Sequence, residues 1–263
     1  MSEKDYFLKS HDDFEAKLEF ARQMFNFVGR QNDQPRRIWT NTLFFRLLMV
    51  SGSILILCNQ ERRHKSLGGP SDMSVLDHSS IAALARNLLE ASVLFAYVSN
   101  PEIAENAWLL RREVLELHKA TADYRASKNV GDADATECKE KMTSLKTAIA
   151  SDEQFKLLKT ELQENILRGQ QQYIHGLRGA VKEAGRDVEE FDGIYQMRSS
   201  YAHSAPISFP AGNSKDPIVG VMPELQYQLV GLALQYVTGW LSFACERMFD
   251  IFPEAFSKFE TKH

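Results

Sequence analysis

An arginine and a histidine lie five positions apart near the end of a predicted helix, at Arg198 and His203. A guanidinium binds phosphate oxygens through several N–H donors and keeps its charge at neutral pH. An imidazole gains and loses a proton near neutral pH, which suits it to general acid or base catalysis. Together these two side chains can act on a phosphodiester bond without a metal ion.

The spacing of Arg198 and His203 restricts how they can converge. Residues five apart on an ideal helix point about 140° away from each other, so a regular helix does not bring them to one face. Pro206 disfavours helical geometry at the residue before it, which favours an irregular helix end. In the alternative interpretation, Arg198 pairs with Glu190 or Asp192 and His203 caps the carboxyl end of the helix.

Arg86 and Glu90 form a second polar pair, on a predicted helix that is otherwise largely apolar. Their four-residue spacing places both on one helix face, where opposite charges attract. Since a buried charge needs a partner, one interpretation is an internal ion pair that fixes helix packing. In the other interpretation, this pair lines the same cleft as Arg198 and His203.

Basic residues concentrate between positions 29 and 66, although the whole chain has a formal net charge of −4. The segment contains seven basic and two acidic residues, which gives a local net charge of +5. Arginine pairs stand near both ends of the predicted central helix, where they can contact phosphates. These pairs are Arg36 and Arg37, and Arg62 and Arg63. Ion pairs between these arginines and acidic helices, such as residues 187–192, are the alternative.

Several types of site have no support in the sequence. The chain contains no glycine-rich phosphate loop, no His-Glu-x-x-His motif and no Gly-x-Ser-x-Gly nucleophile motif. Glu61 and His64 form one Glu-x-x-His unit, whereas a di-iron bundle needs two such units plus further carboxylates. Three cysteines without paired spacing argue against a zinc knuckle or a disulfide framework. We therefore expect no metal and no cofactor.

Hydrophobic periodicity of three and four residues predicts an all-α protein, a bundle of about seven helices. The central helix, from about Arg37 to Cys58, is apolar on most sides, and we expect it to be buried. Other predicted helices run from position 71 or 74 to about 98, from 151 to about 172 and from about 223 to 249. We expect a single helical domain over residues 1–263, with an inserted hairpin around 128–185.

Composition and hydropathy favour a folded protein outside the membrane. The sequence is 44% hydrophobic and 25% charged, which provides enough apolar content for a substantial core. The apolar run Leu43–Cys58 is shorter than the ~20 residues of a membrane span and contains Arg46. The first residues lack the apolar core of a signal peptide. We expect a cytoplasmic protein with no membrane partner.

An all-helical chain with Arg-x4-His at the end of a late helix resembles the HEPN superfamily, whose members often act as metal-independent ribonucleases in bacterial toxin and antiphage systems. In that pattern Asn, Asp or His frequently follows the arginine, and Ser199 occupies this position here. The resemblance implies a HEPN-like core and a homodimer that brings two Arg-His pairs together across a two-fold axis. It implies RNA as the substrate, stress or phage defence as the setting, and a cognate antitoxin or defence-system protein as a further partner.

Under this resemblance, the motif cleaves RNA through attack by the ribose 2′-hydroxyl. His203 is the acid or base, and Arg198 clamps the phosphate. The residues expected to bind substrate are Tyr195, Ser199, Tyr201, Arg36, Arg37, Arg62 and Arg63. The alternative function is that of a noncatalytic helical interaction protein, or a nucleotide- or RNA-binding protein, antitoxin-like or a scaffold, with a degenerate motif.

Overall fold

The computed structural model describes residues 1–28, 34–59, 76–131, 134–202 and 223–254. These residues form ten α-helices and no strand, which confirms the all-α prediction. Ten helices exceed the seven or so that we expected, and the HEPN-like core stays a prediction. The predicted site residues His203, Arg62 and Arg63 lie outside the described residues, as does the Glu61 to His64 unit.

Five of the helices are long, and the others are shorter elements in the second half of the chain. In chain order they are α1 (Glu3–Val28), α2 (Pro35–Asn59), α3 (His78–Ser99), α4 (Glu105–Val130), α5 (Ala135–Ser151), α6 (Glu153–Lys156), α7 (Thr160–Leu167), α8 (Gly176–Glu183), α9 (Val188–Ala202) and α10 (Pro223–Ile251).

The chain divides into two compact units. The first unit comprises residues 1–99 and 189–263, and therefore contains α1, α2, α3, α10 and all but the first residue of α9. The second unit comprises residues 100–188 and contains α4 to α8. It is longer than the inserted hairpin expected around 128–185, because α4 packs against α5 and belongs to the same unit.

The core of the first unit forms where its long helices meet. α1 packs along α10, α10 also packs on α3, and α3 packs on α2. Aromatic side chains fill these contacts: the ring of Phe44 on α2 lies 5.9 Å from that of Phe95 on α3. Phe7 of α1 and Trp240 of α10 are each 2% exposed. Such rings bury more apolar area than other side chains and so dominate the packing energy.

α2 is buried along one side only, in contrast to the burial that we expected for the central helix. Its large apolar side chains Phe45, Met49 and Ile56 are 48%, 58% and 62% exposed. By length and hydropathy α2 and α3 could each cross a membrane, but the core helix of a soluble protein passes the same test. The cytoplasmic location therefore stays a prediction.

The segment predicted as one helix from 151 to about 172 contains two short helices instead. Asp152 caps α6 by accepting hydrogen bonds from the backbone N–H groups of Gln154 and Phe155, at 2.8 and 3.0 Å. The side-chain amide of Gln163 donates to three carbonyls at the end of α6, which ends that helix after one turn. Gly169, with a φ of +67°, ends α7 in the left-handed conformation.

The second unit has its own core. Gly169 lies so close to α4 that a Cβ at this position would overlap the hydroxyl group of Thr121. The Gly169 carbonyl lies 3.1 Å from Nδ1 of His118, which ties the turn after α7 to α4. Aliphatic and aromatic side chains fill the interior of this unit, namely Leu110, Val114, Leu117, Ile149, Phe155, Ile166 and Ile174.

Candidate functional site

The motif arginine lies on α9, which remains helical from Val188 to Ala202. The turn that contains Arg198 is therefore regular, and the irregular helix end expected before Pro206 lies outside the described residues. The structure thus places Arg198 but does not describe His203. The geometry of the pair stays a prediction.

Arg198 is buried, with only 2% of the residue exposed. Its Nη1 atom donates a hydrogen bond to the backbone carbonyl of Leu229 on α10, at 3.1 Å. Within the described part of the chain Arg198 forms no ion pair, neither with Glu190 nor with Asp192, which we had considered as partners. A buried guanidinium without a carboxylate nearby is unusual, because a buried charge is costly unless it is paired.

The burial of Arg198 alters its acid–base behaviour. Burial lowers the pKa of Arg198 to about 10, and the electrostatic effect of the Tyr201 and Tyr6 side chains acts in the opposite direction. Because this value is still well above 7, the guanidinium is protonated at neutral pH. The interface of α9 and α10 therefore holds a positive charge that no described carboxylate neutralises.

Tyr201 follows Arg198 on α9 and is 8% exposed. Its side chain packs against Ala82 of α3 and Leu229 of α10. The ring of His78 meets the Tyr201 ring edge-on, with the two centroids 5.9 Å apart. Tyr201 thus takes part in the packing of three helices, and the structure assigns no free ring face to it.

Arg86, Glu90 and Tyr195 form a hydrogen-bonded cluster, which we call the α3–α9 cluster. Arg86 donates from Nε to Glu90 Oε1 at 3.2 Å and from Nη2 to Tyr195 Oη at 2.9 Å. Tyr195 Oη donates to Glu90 Oε1 at 2.5 Å. The ion pair agrees with the interpretation of Arg86 and Glu90 as a packing pair, and the tyrosine extends that pair to α9.

The charges in the α3–α9 cluster compensate each other. The hydrogen bond to Tyr195 raises the pKa of Arg86, and the nearby Glu90 carboxylate acts in the same direction. Burial, together with the hydrogen bond to Glu90, raises the pKa of Tyr195. The side chains of Arg86 and Glu90 are 27% and 44% exposed, so the cluster lies at the edge of the core.

The ring of Tyr195 contacts an aromatic ring and a guanidinium. The ring stacks on that of Phe191 with centroids 5.6 Å apart, and the Arg86 guanidinium lies 5.0 Å from the Tyr195 centroid. Phe191 in turn meets the edge of Trp240 on α10. This arrangement leads from the α3–α9 cluster into the core of the first unit. The contact of Tyr195 with Arg86 and Glu90 could not be predicted from sequence spacing, because Tyr195 is more than a hundred positions from both.

The two serines after Arg198 use their hydroxyl groups within α9. Ser199 Oγ donates to the carbonyl of Tyr195 at 2.8 Å, and Ser200 Oγ donates to that of Gln196 at 3.0 Å. Such bonds to the preceding turn satisfy the hydroxyl locally. Ser199 is half-buried, and the structure does not bring it to the guanidinium of Arg198.

The basic pair at the start of α2 lies apart from this site. Arg37 forms an ion pair with Glu254 at 2.8 Å, and its guanidinium lies 5.1 Å from the ring centroid of Phe252. Arg36 is half-buried. Arg37 therefore contacts the residues that follow α10.

One group of residues has the donors of a metal site. The ligand atoms of His11, Asp12 and Glu15 on α1 lie within 4.8 Å of one another. Both ring nitrogens of His11 already have neighbours, with Nδ1 at 3.2 Å from Asp12 and Nε2 at 3.1 Å from Asn59. Asp12 and Glu15 are exposed, and exposed acidic groups of this kind are common without a metal. We therefore treat the group as part of the hydrogen-bonded surface.

No protein-family model, curated protein sequence or solved structure matches this chain. The function must therefore be argued from the chain's own residues, and above all from those around α9.

Proposed function

We propose that this protein is a metal-independent endoribonuclease in which Arg198 and His203 act on the phosphodiester bond. The observation that supports this proposal is the guanidinium of Arg198, which is protonated at neutral pH, buried and not neutralised by any described carboxylate. A fixed cation in a water-poor environment stabilises negative charge that develops on a phosphate. A residue retained for packing alone would more commonly be apolar.

The proposed reaction needs a base, an acid and a cation. His203 accepts the proton of the ribose 2′-hydroxyl, and the 2′-oxygen attacks the adjacent phosphorus. The bond from phosphorus to the 5′-oxygen breaks, and a second imidazole protonates the leaving oxygen. The products are a 2′,3′-cyclic phosphate and a 5′-hydroxyl. The positive charge of Arg198, which is buried between α9 and α10, stabilises the extra negative charge on the phosphate oxygens without direct contact. DNA is not cleaved because it lacks the 2′-hydroxyl.

The α3–α9 cluster has a positioning role in this proposal. Tyr195 hydrogen-bonds to both members of the Arg86–Glu90 pair and packs on Phe191, so it fixes α9 against α3. We propose that it holds the helix that carries Arg198, rather than stacking on a base of the RNA. Networks of this kind hold functional groups in place when all their donors and acceptors are satisfied.

The wider setting of the proposal comes from the HEPN resemblance. We propose a homodimer in the bacterial cytoplasm, with the second imidazole supplied by the other copy of His203. Stress or phage defence is the proposed context, with a cognate antitoxin or another defence-system protein as partner. No metal or cofactor takes part in the proposed reaction.

RNA cleavage in EDTA tests the proposed function. We expect the wild type to cleave RNA, and both His203→Ala and Arg198→Met to lower the rate by about a hundredfold or more, because each removes a group required in the transition state. His175→Ala, a change at an exposed histidine of the second unit, is the matched control and should retain the wild-type rate. Equal cleavage by the wild type and His203→Ala, or none by the wild type, would contradict the proposal.

A second candidate function is that of a noncatalytic interaction protein. The observation that favours it is the exposed apolar side of α2, where three large side chains are about half exposed or more. Soluble monomers rarely expose large contiguous apolar patches, and such patches commonly mark binding surfaces. Under this function the His203→Ala protein would behave like the wild type in every assay, whereas substitutions on α2 would not.

A further inference from the structure

The exposed side of α2 has the residue spacing of a helix-pairing surface, and we call it the α2 stripe. Its large members are Ile38, Phe45, Met49 and Ile56, which are 45%, 48%, 58% and 62% exposed. The intervals between them are seven, four and seven residues. An alternation of this kind corresponds to the a and d positions by which one helix packs against another. The stripe is therefore a helix-pairing seam that the described helices leave about half exposed.

A groove runs between the α2 stripe and α1. It has a volume of about 430 Å³, and its apolar lining includes Phe25 of α1 together with Phe45, Leu48, Met49 and Ile56 of α2. Phe25 and Phe45 stack on each other at 5.3 Å and close one end of the apolar surface. A concave, apolar surface of this form accepts the ridge of a helix.

One exposed arginine lines the groove, and a second lies on the far side of the α2 stripe. Arg22 of α1 has 46% of its side chain exposed, and Gly52 leaves room for it, because a Cβ there would lie 3.2 Å from Arg22 Nη2. With 100° between successive residues, the exposed Arg46 lies on the opposite side of the stripe from Leu48 and Gly52. Both sides of the seam thus carry positive charge.

The charges around the groove decide which partner fits. α2 contains no acidic residue and carries the exposed Arg46 beside the stripe, whereas its Arg37 is paired with Glu254. Arg22 of α1 lies 3.9 Å from Glu19. A second copy of α2 would bring arginines against arginines, and like charges facing each other weaken association. A helix with an apolar seam and acidic residues on both flanks has the complementary pattern.

We propose that the groove between α1 and α2 binds an amphipathic helix of a partner protein, with apolar residues along its seam and acidic residues on its flanks. The apolar seam of that helix contacts Phe45, Met49 and Ile56, and its carboxylates lie near Arg22 and Arg46. This surface does not depend on the proposed ribonuclease activity. Either proposal can fail while the other stands.

Binding of synthetic helices tests this proposal. The probe is a peptide of about four heptads with leucine at a and d and glutamate at e and g, and a second peptide carries lysine at e and g. Fluorescence anisotropy should show that the glutamate peptide binds the wild type about tenfold more tightly than the lysine peptide does. Met49→Glu should abolish this binding, and Arg46→Glu should remove the preference for the glutamate peptide.

Matched controls come from exposed positions of the second unit. Leu157→Glu places the same charge at an apolar residue that is 86% exposed, and Arg125→Glu reverses an exposed arginine of α4. Both should bind the glutamate peptide like the wild type. Because all four positions are exposed, circular dichroism and melting temperature should be unchanged in these variants.

Four results would overturn the proposal. One is equal binding of the two peptides, and another is binding that survives Met49→Glu. The third is a dimer of the protein alone that Met49→Glu dissociates in analytical ultracentrifugation, because the occupant would then be a second copy. The last is Met49-dependent binding to anionic phospholipid vesicles or to RNA in place of the glutamate peptide.

Discussion

The two contacts of α9, one with α3 and the other with α10, hold an arginine charge in opposite ways. At the contact with α3, Arg86 is partly exposed and bonds to the carboxylate of Glu90 and the hydroxyl of Tyr195. At the contact with α10, Arg198 is 2% exposed and donates to the Leu229 carbonyl, with no described carboxylate nearby. The first arrangement stabilises the fold, whereas the second is unfavourable for it.

This difference indicates which of the two arginines has a functional role. Since burial of an unpaired charge destabilises a protein, a chain that retains one gains something other than stability from it. The α3–α9 cluster needs no such explanation, because its polar groups satisfy one another. A functional role is therefore argued more strongly for Arg198 than for Arg86, although Arg86 is the more accessible of the two.

Replacing Arg198 by methionine should give the largest effect on stability, and the effect should be favourable. Burial lowers the pKa of Arg198 from its ordinary value to about 10, which corresponds to about 3 kcal/mol of unfavourable burial at neutral pH. Loss of the hydrogen bond to Leu229 offsets about 1 kcal/mol of this. We expect the free energy of unfolding of Arg198→Met to rise by about 2 kcal/mol.

Urea denaturation at neutral pH measures this change, and the same preparation should have lost RNA cleavage. Leu229→Ile is the control, since it keeps the backbone carbonyl that accepts the hydrogen bond from Arg198. A marked loss of stability in Arg198→Met would show that the arginine is a structural residue, and the contrast between the two contacts would disappear.

Replacing Arg86 by methionine should have the opposite sign and a smaller size. The variant leaves the Glu90 carboxylate and the Tyr195 hydroxyl without their shared donor. Since both members of the ion pair are partly exposed, water takes over part of the lost interaction, and we expect a loss of about 1.5 kcal/mol. Thermal and urea unfolding of Arg86→Met measure it.

Tyr195→Phe separates the hydrogen bonds of the cluster from its packing, because the ring that stacks on Phe191 remains. This variant should lose less stability than Arg86→Met. Ser200→Ala, which removes a hydroxyl that bonds only to its own helix, serves as the control and should match the wild type. A gain of stability in Arg86→Met would show that the contact of α9 with α3 does not stabilise the fold, which would contradict the difference between the two contacts.

The parts of this structure that sequence could predict are those set by local spacing. Periodic apolar residues predict helices, and the four-residue interval of Arg86 and Glu90 predicts their ion pair, which is present. The third member of the cluster could not be predicted, because Tyr195 reaches it only through the tertiary packing of α9 on α3. The break after α6 was missed although its partner is local, because side-chain bonds from Gln163 to the carbonyls of Lys156 and Leu158 have no signature in the hydrophobic pattern.

Burial was harder to predict than helix formation. Arg198 was expected to clamp a phosphate, yet the residue is buried and its guanidinium bonds to the backbone of α10. For α2 the error was the opposite one, because we expected more burial than the structure has. An apolar pattern on most sides of a helix predicts that the helix is buried, but it does not show which side stays exposed. Hydrophobic pattern describes what a helix can bury, and only the packing of the other helices decides what it does bury.

The smallest effect that we predict is a change of stability with pH, and it has a defined sign. The folded-state pKa of Arg198, about 10, is lower than the ordinary pKa that an arginine has in the unfolded chain. Between these values the unfolded chain binds more protons than the folded one, so the contribution of this arginine to the free energy of unfolding rises with pH. Its unfavourable effect is complete at neutral pH and is relieved only above about pH 10.

The test compares the wild type with Arg198→Met, because other groups change the stability in the opposite direction. Burial raises the pKa of Cys245 to about 12, so stability is lost as the pH rises above the ordinary value of that thiol. This contribution is common to both proteins and cancels in their difference. Between about pH 8 and about pH 10.5, the advantage of Arg198→Met in urea denaturation should shrink by about 1 kcal/mol. An advantage that stays constant over this range would mean that Arg198 has a carboxylate partner, and the two contacts of α9 would then be alike.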